Sequence, residues 1–197
     1  MPQPAFDLVA IVTSAGGLHA LETILADLPK NFPVPIAIVQ HLSPQGPGLL
    51  PGILNRRTQL MVKQAVAGVQ LQAGHVYVAP PDQHLLITSS GIITLAHTER
   101  VNYARPSADV LLESVAESFR QRAIAVILTG KGRDGAIGIQ RIKQLGGMTI
   151  AQDQATAEFF SMPQAAIQTL AVDFVLPLVE IAPMLVDLMW KNRKADD

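Results

Sequence analysis

Three residues of this 197-residue chain could together catalyse acyl transfer, and each lies shortly after a hydrophobic run. They are Ser14, His41 and Asp134. A serine hydroxyl is a nucleophile, a histidine is its base near neutral pH, and an aspartate can accept the histidine Nδ1 proton and fix the tautomer. The order serine, histidine, aspartate differs from that of α/β-hydrolases, and Val12 interrupts their G-x-S-x-G motif. The residue types therefore indicate acyl-transfer chemistry without the α/β-hydrolase signature.

Each of the three residues also has a purely structural interpretation. A serine followed by two glycines, as at Ser14, can simply cap a helix in a tight turn. A histidine at a strand end, as at His41, can be a structural or surface residue. Asp134 opens a helix, where an aspartate usually caps the main chain and complements the helix dipole. The catalytic hypothesis therefore depends on whether the fold brings these side chains together.

The glycine-rich segment around Asp134 supports a rival function. Gly130, Gly132 and Gly135 have the G-x-G-x-x-G spacing of dinucleotide-binding loops, between a hydrophobic run and a helical pattern. The next strand ends at Asp153, and an acidic residue about 20 positions further on belongs to that fingerprint. The same loop also suits an oxyanion site, in which bare main-chain N–H groups approach a reacting carbonyl. The spacing leaves both interpretations open.

The elements around these residues alternate between strands and helices. Continuous hydrophobic runs predict strands at 6–12, 34–40, 123–129, 148–152 and 173–176, and helical spacing predicts helices at 18–28, 49–55, 136–145, 163–170 and up to residue 190. Three shorter segments, 76–79, 85–88 and 92–95, predict an antiparallel addition, and Ser107 predicts the N-cap of a further helix. We therefore expect a doubly wound α/β fold, mostly parallel, with helices on both faces of the sheet. In such folds ligands bind outside the carboxyl ends of the strands.

The composition narrows the class of protein. Hydrophobic residues are 49% of the chain and charged residues 16%, and the net charge of −1 with scattered basic residues provides no nucleic-acid footprint. Cysteine is absent, which excludes disulfides and thiolate nucleophiles and fits a reducing cytoplasm. No basic residue precedes Lys30, so no signal peptide is expected, and no apolar run reaches the length of about 18 residues that a membrane span needs. We expect a single cytoplasmic domain over residues 1–197.

No metal site is expected from the remaining histidines, which lack regular ligand spacing and nearby carboxylates. They are interpreted as structural or exposed residues. These histidines are His19, His75, His84 and His97.

Several motifs carry a resemblance to a known family over about residues 6–188. They are Ser14-Ala15-Gly16-Gly17, Gln40-His41, GHVYVAP at 74–80, RPSAD at 105–109, LTGKGRDG at 128–135, Ala151-Gln152-Asp153 and Met162-Pro163. On these motifs the chain resembles the catalytic domain of chemotaxis receptor methylesterases, the CheB type. The resemblance implies hydrolysis of glutamate methyl esters on methyl-accepting chemotaxis receptors, with release of methanol. Some members of the family also deamidate receptor glutamines.

The resemblance also implies a role for each site residue. Ser14 is the nucleophile, His41 its base and Asp134 the residue that orients the base, while the main-chain N–H of Lys131 contributes to the oxyanion hole. No cofactor, metal, nucleic acid or membrane insertion is implied. The family's N-terminal receiver domain is not expected, because the first strand starts within six residues of Met1. A receiver-domain protein acting in trans is a candidate partner.

Five positions depart from the family pattern. Family members usually have Gly, Ala, Thr, Met and Gly where this chain has Val12, Thr13, Ala15, Lys131 and Ser161. Because the oxyanion hole uses a main-chain group, the chemistry can survive the change at Lys131, although substrate fit and the local field can differ. The alternatives are a catalytically weak or silent scaffold with the methylesterase fold, or a dinucleotide-binding module.

Overall fold

A sheet of seven parallel strands forms the centre of the computed structural model, which describes residues 4–41 and 48–190. The strands are rich in Val, Ile and Ala, and every residue of the three central strands is buried. Such two-sided burial is typical of a parallel sheet covered by helices. In chain order the strands are β1 (Leu8–Thr13), β2 (Ile36–Gln40), β3 (Met61–Gln64), β4 (His75–Val78), β5 (His84–Ile87), β6 (Ile93–Ala96), β7 (Ala123–Ile127), β8 (Met148–Gln152) and β9 (Phe174–Leu176), of which β5 and β6 form a separate antiparallel pair.

The helices cover both faces of the sheet. They are α1 (Gly17–Asp27), α2 (Leu50–Leu54), α3 (Ala108–Phe119), α4 (Ala136–Gln144), α5 (Ser161–Gln168) and α6 (Leu178–Trp190). Alternate residues of β1 point to opposite faces, so Val9 and Ile11 pack with α1, α2 and α6, whereas Ala10 and Val12 pack with α3, α4, α5 and the β5–β6 hairpin. This arrangement confirms the predicted doubly wound α/β fold with a short antiparallel addition.

The strand order reverses in the middle of the sheet, between β1 and β7. The order is β3-β4-β2-β1-β7-β8-β9, so the chain proceeds from β1 to one side and returns at β7 to continue on the other. Between β1 and β7 the loops leave in opposite directions and open a crevice at the carboxyl ends, the usual ligand site of such folds. Ser14 follows β1 and the glycine-rich loop follows β7, so both border this crevice.

One strand assignment from the sequence was wrong. Segment 76–79 was expected in the antiparallel addition, but β4 pairs in parallel with β2 and β3 inside the main sheet. Val76, Tyr77 and Val78 are all buried, which shows that both faces of β4 are covered. Within the described residues the antiparallel sheet therefore consists of β5 and β6. The edge strand β3, in which only Val62 is buried, was not predicted.

Within the two described ranges, no helix combines the length and the apolar character that crossing a bilayer requires.

Candidate active site

Ser14 lies in the turn between β1 and α1. Its N–H donates to the carbonyl oxygen of Thr129 at 3.1 Å, and its own carbonyl accepts the N–H of Gly17 at 3.0 Å. The N-cap of α1 is Gly16, without a side-chain cap, so the hydroxyl of Ser14 does not cap the helix. The structural interpretation of Ser14 as a helix cap is therefore wrong, and none of the hydrogen bonds among residues 4–41 and 48–190 uses its half-buried hydroxyl.

His41 is placed beside Ser14 by the pairing of two parallel strands. Thr13 of β1 is in register with Gln40 of β2, and the His41 N–H continues the ladder by donating to the Thr13 carbonyl at 3.0 Å. The buried amide of Gln40 then donates from Nε2 to the carbonyls of Ser14 at 2.6 Å and of His41 at 3.3 Å. A Cβ at Gly17 would lie 2.2 Å from Gln40 Oε1, so only glycine leaves room for the Gln40 side chain in this position.

The imidazole of His41 contacts Asp134, which comes from a third strand end. Nε2 of His41 donates to Oδ2 of Asp134 at 2.8 Å, with the histidine side chain 17% and the aspartate 4% exposed. The sequence had suggested the Nδ1 proton for this bond, and that expectation was wrong. Because Nε2 is occupied by Asp134, Nδ1 is the nitrogen left for a proton from Ser14.

The hydrogen bonds of the described residues include none between the Ser14 hydroxyl and His41. Catalytic hydrogen bonds are often long in a protein without substrate and shorten only in the complex. The absence of this bond is therefore compatible with the predicted proton transfer from Ser14 to His41.

Asp134 caps a helix, but not the one that it precedes. Its Oδ2 accepts the N–H of Ala108 at 2.7 Å, and its Oδ1 accepts the N–H of Asp109 at 3.1 Å and the hydroxyl of Ser107 at 2.8 Å. These groups form the start of α3, whereas the N-cap of α4 is Gly135 without a side-chain cap. Ser107 is the N-cap residue of α3, as predicted, yet its hydroxyl makes no cap bond and donates to Asp134 instead.

The hydrogen bonds around Asp134 keep its carboxylate charged. Burial raises the pKa, but the bonds from His41 and from the N–H groups of Ala108 and Asp109 outweigh this effect and lower it to about 2. Asp134 is therefore an anion at neutral pH and can stabilise a protonated His41.

A second buried carboxyl, Asp109, lies behind Asp134. Its Oδ1 accepts the N–H of Gly138 in α4 at 2.8 Å, and its Oδ2 accepts Nδ2 of Asn102 at 2.7 Å; Asn102 also donates to Asp134 at 3.2 Å. Burial raises the pKa of Asp109 to about 6; the Gly138 N–H opposes this rise and the charge of Asp134 adds to it. Asp109 and Asn102 thus hold the turn before α3 and the start of α4 against Asp134.

The glycine-rich loop closes the other side of the crevice. The Gly130 N–H donates to the carbonyl of Phe159 at 2.8 Å, and a Cβ on Gly130 would lie 2.2 Å from Met162 Sδ and 2.9 Å from the Ser14 Cβ. Among the main-chain bonds of the described residues, none starts from the N–H of Lys131. That group is consequently available for an oxyanion, while the exposed Lys131 ammonium lies 4.5 Å from the centre of the Phe159 ring.

Ser161, one of the departures from the family pattern, fixes this loop. Its hydroxyl donates to the Gly130 carbonyl at 3.0 Å and accepts the Gly132 N–H at 3.2 Å. The two bonds flank Lys131, so they restrict the peptide group that would face an oxyanion. Val12, a second departure, is fully buried between β2 and β7, and its side chain belongs to the hydrophobic cluster that β1 forms with α3, α4 and α5.

The dinucleotide interpretation of the loop gains no support from its contacts. The Gly130 N–H, which would have to face a phosphate, is used by Phe159, and Oδ1 of Asp153 accepts the N–H and hydroxyl of Thr156 at 3.0 and 2.6 Å. Close packing of Ser14 against Met162 explains the first glycine without any ligand.

His84 is a structural residue, as expected. It is fully buried in β5, where Nε2 donates to the Glu99 carbonyl at 2.9 Å and Nδ1 accepts the Ser107 N–H at 3.1 Å. The described residues contain no cluster of three His, Cys, Asp or Glu side chains able to hold a metal.

Comparison with known proteins decides the family. The family model described as CheB methylesterase matches residues 9–185. The chain belongs to the CheB methylesterase family. The crystal structure of the Thermotoga maritima CheB methylesterase catalytic domain is similar to this chain with a TM-score of 0.89 and 39% identity, covering 93% of this chain and 98% of that one. Such agreement over nearly the whole domain confirms the resemblance found in the sequence motifs.

Two curated relatives differ in how much of their length this chain covers. A Leptospira interrogans protein, provisionally named protein-glutamate methylesterase/protein-glutamine glutaminase, is 42% identical over 187 residues, which are 95% of this chain and 97% of the relative. The Myxococcus xanthus protein-glutamate methylesterase FrzG is 43% identical over 185 residues, or 94% of this chain but only 55% of the relative. Relatives therefore include both chains of this length and chains about twice as long.

Proposed function

We propose that this protein hydrolyses methyl esters of glutamate side chains in chemotaxis receptors, with Ser14, His41 and Asp134 as its catalytic residues. The observation that carries the proposal is the hydrogen bond from His41 Nε2 to a buried, charged Asp134, beside Ser14, in a member of this family. It supplies a base with a compensating anion next to a free hydroxyl.

The proposed reaction gives each of these groups one task. Ser14 Oγ attacks the ester carbonyl while its proton passes to His41 Nδ1, and the Lys131 N–H donates to the oxygen that becomes negative. The C–O bond to the methoxy group then breaks, and His41 returns the proton so that methanol leaves. Water attacks the resulting acyl-serine by the same route, giving the glutamate carboxylate and free Ser14. Asp134 stabilises the imidazolium in both halves.

The same groups could remove the amide of a glutamine, since the acyl-serine intermediate is identical and ammonia replaces methanol as the leaving group. The Leptospira relative carries both activities in its name. A receiver-domain protein in trans remains a candidate regulator of this chain, and the cytoplasm remains the location expected from its cysteine-free composition.

Methanol release from a methylated receptor fragment tests the proposal. We expect the wild-type protein to release methanol in proportion to the esters present, and Ser14→Ala to lower the rate by at least about 10³-fold. Ser90→Ala, in the turn between β5 and β6, is a matched control and should retain full activity. Equal rates for Ser14→Ala and wild type would remove Ser14 as nucleophile. A folded wild-type protein without turnover would favour the silent scaffold.

A further inference from the structure

A cavity of about 250 Å³ opens beside His41, and its described lining includes no residue of the glycine-rich loop. Its wall consists of His41 and of residues 100 and 102–106, and Ser14 is not part of it. A group bound there would touch the catalytic histidine but would not cover the nucleophile. The cavity is therefore placed to hold a part of the substrate that flanks the ester.

The cavity contains two arginines, of which only one is free to bind a ligand. Arg105 donates from Nε and Nη2 to Oδ1 of Asp82 at 3.0 and 2.8 Å, and from Nη1 to the Thr98 carbonyl at 2.6 Å. Arg100 is exposed and makes no hydrogen bond or ion pair within the described ranges. The cavity thus offers one uncompensated cation at its mouth.

The turn that forms the cavity wall has an unfavourable backbone. Val101 and Ala104 exchange two main-chain hydrogen bonds, at 3.1 and 2.9 Å, across Asn102 and Tyr103, which have φ values of 51° and 63°. Asparagine tolerates this left-handed region, whereas a bulky residue there is a conformational outlier. A two-residue turn of this kind favours glycine at its second position.

The two residues of this turn differ in what the fold gains from them. Asn102 donates to Asp109 and Asp134, so its position serves the catalytic residues. The Tyr103 side chain is 97% exposed in contrast, and its ring provides no packing inside the protein that would offset the strain. Residues with a strained backbone cluster at active sites and ligand-binding sites. The strain at Tyr103 therefore indicates that its exposed ring has a role in binding.

We propose that this cavity binds an acidic side chain of the receptor segment next to the esterified glutamate, with Arg100 pairing to its carboxylate and Tyr103 packing on its hydrocarbon part. The inference rests on the proposed function, because it specifies which residues surround the ester in the substrate. Arginine and tyrosine are the residues in which binding energy is concentrated at protein interfaces. A charged neighbour also supplies recognition that the neutral methyl ester cannot.

Binding of a labelled, demethylated receptor fragment tests the charge pairing without any turnover. Two fragments are compared, with Glu or with Gln beside the glutamate that is the esterification site. We expect the wild-type protein to bind the Glu fragment about fivefold more tightly, as a good exposed ion pair allows. Arg100→Gln should make the two dissociation constants equal. Arg120→Gln, at the amino-terminal edge of the sheet, is the matched control and should keep the ratio.

A second set of variants tests Tyr103. Tyr103→Gly and Tyr103→Asn both suit a positive φ, so their melting temperatures should equal or exceed that of the wild type, while binding of the Glu fragment weakens at least threefold. Leu170→Gly is the matched control, because Leu170 is 93% exposed with a φ of 59° beyond the far end of α5. It should gain stability in the same way without a change in binding.

The results separate this inference from the proposed function. Equal affinity of the wild-type protein for both fragments, absence of binding to either, or an unchanged ratio in Arg100→Gln would overturn the charge pairing. Unchanged binding in both Tyr103 variants would overturn the role of the ring. Selective binding of the Glu fragment together with no methanol release from its methylated form would sustain the inference and refute only the proposed hydrolysis.

Discussion

The substitution Asp134→Asn removes one charge from the centre of the site and keeps the size of the side chain. In the protein this carboxylate accepts five hydrogen bonds, whereas an amide has a single acceptor oxygen and an NH₂ group that would face the other donors. The N–H groups of Ala108 and Asp109 belong to the first turn of α3 and cannot rotate away. We therefore expect the variant to lose both stability and activity.

The loss of stability can be sized from the pKa of Asp134. A pKa lowered from 3.8 to about 2 corresponds to about 2 kcal/mol in favour of the folded, charged state. Because the folded pKa is below the unfolded one, this contribution is complete above about pH 5 and disappears as the pH falls from about 4 to about 2. A buried N–H left without an acceptor costs a further 1–3 kcal/mol or so. The variant should be about 3–5 kcal/mol less stable at pH 7, and the difference should shrink below pH 4.

The loss of activity follows from the nitrogen that faces Asp134. An amide would donate a hydrogen bond to Nε2 of His41 and so hold the imidazole proton on Nδ1, the nitrogen that has to accept the proton of Ser14. The imidazolium would also lose its compensating charge. The corresponding substitution in serine proteases, a worked example from other proteins, lowers kcat about 10⁴-fold, and we expect a loss of about 10²- to 10⁴-fold here.

Urea unfolding at pH 7, 4 and 3, together with methanol release, measures both effects. Asp153→Asn is the control, since Asp153 is also an aspartate that accepts main-chain and hydroxyl hydrogen bonds after a strand, but it does not contact His41. It should leave turnover unchanged. Wild-type stability at pH 7 combined with more than about a tenth of wild-type turnover would refute both parts of the reasoning. An unstable variant with full turnover would restrict Asp134 to capping α3.

Three further substitutions have expected outcomes. Asp109→Asn should remove a pH dependence of stability. Because the pKa of Asp109 is raised from 3.8 to about 6, the free energy of unfolding of the wild type falls by about 3 kcal/mol as the pH rises from about 4 to about 7. Urea unfolding of the variant should show a flatter dependence of this free energy on pH. Ser161→Gly should lower kcat by roughly three- to tenfold with little change in KM, because the peptide of Lys131 loses two flanking hydrogen bonds worth about 1 kcal/mol each. An unchanged kcat would show that other contacts fix the loop. Leu170→Gly should raise stability by about 0.5–1 kcal/mol in thermal unfolding, since glycine suits its φ of 59° at the end of α5, and a lower melting temperature would refute this account.

The fold was predictable where burial is two-sided and hydrophobic runs are continuous, as in β1, β2 and β7. It was not predictable for β4, because its four residues resemble the neighbouring hairpin strands in length and composition. Its partner in β2 lies 40 residues earlier, with Ile36 opposite Val76 and Ala37 opposite Tyr77. Only the tertiary pairing distinguishes a short parallel strand from a short antiparallel one. The edge strand β3 was missed for a related reason, because it has only four residues and each of its faces carries one apolar and one polar side chain.

The site was predictable as a set of strand ends but not as a set of bonds. Parallel strands end at one edge of the sheet, so residues that follow β1, β2 and β7 had to lie near one another, whatever their distance in sequence. Which nitrogen of His41 faces Asp134 depends on side-chain direction, which spacing does not specify. The contacts of Asn102 and Asp109 with Asp134 were missed because they span 32 and 25 residues and depend on a left-handed turn. The signal in the sequence was weak: Asn102 precedes the RPSAD motif by three positions, and Asp109 is the last residue of that motif.

The double use of Asp134 restricts where this site can vary. The carboxylate that orients His41 also satisfies the first N–H groups of α3, so a change that weakens the histidine contact also loosens the helix. Lys131 is different, because the proposed reaction uses its main-chain N–H, while its side chain lies at the surface. A family position such as this one can exchange methionine for lysine and alter the field at the mouth of the crevice, without disturbing the proton path or the stability of α3. We therefore expect differences in substrate preference within the family to arise from exposed residues around the crevice, such as Lys131 and Arg100, and not from the hydrogen-bonded centre.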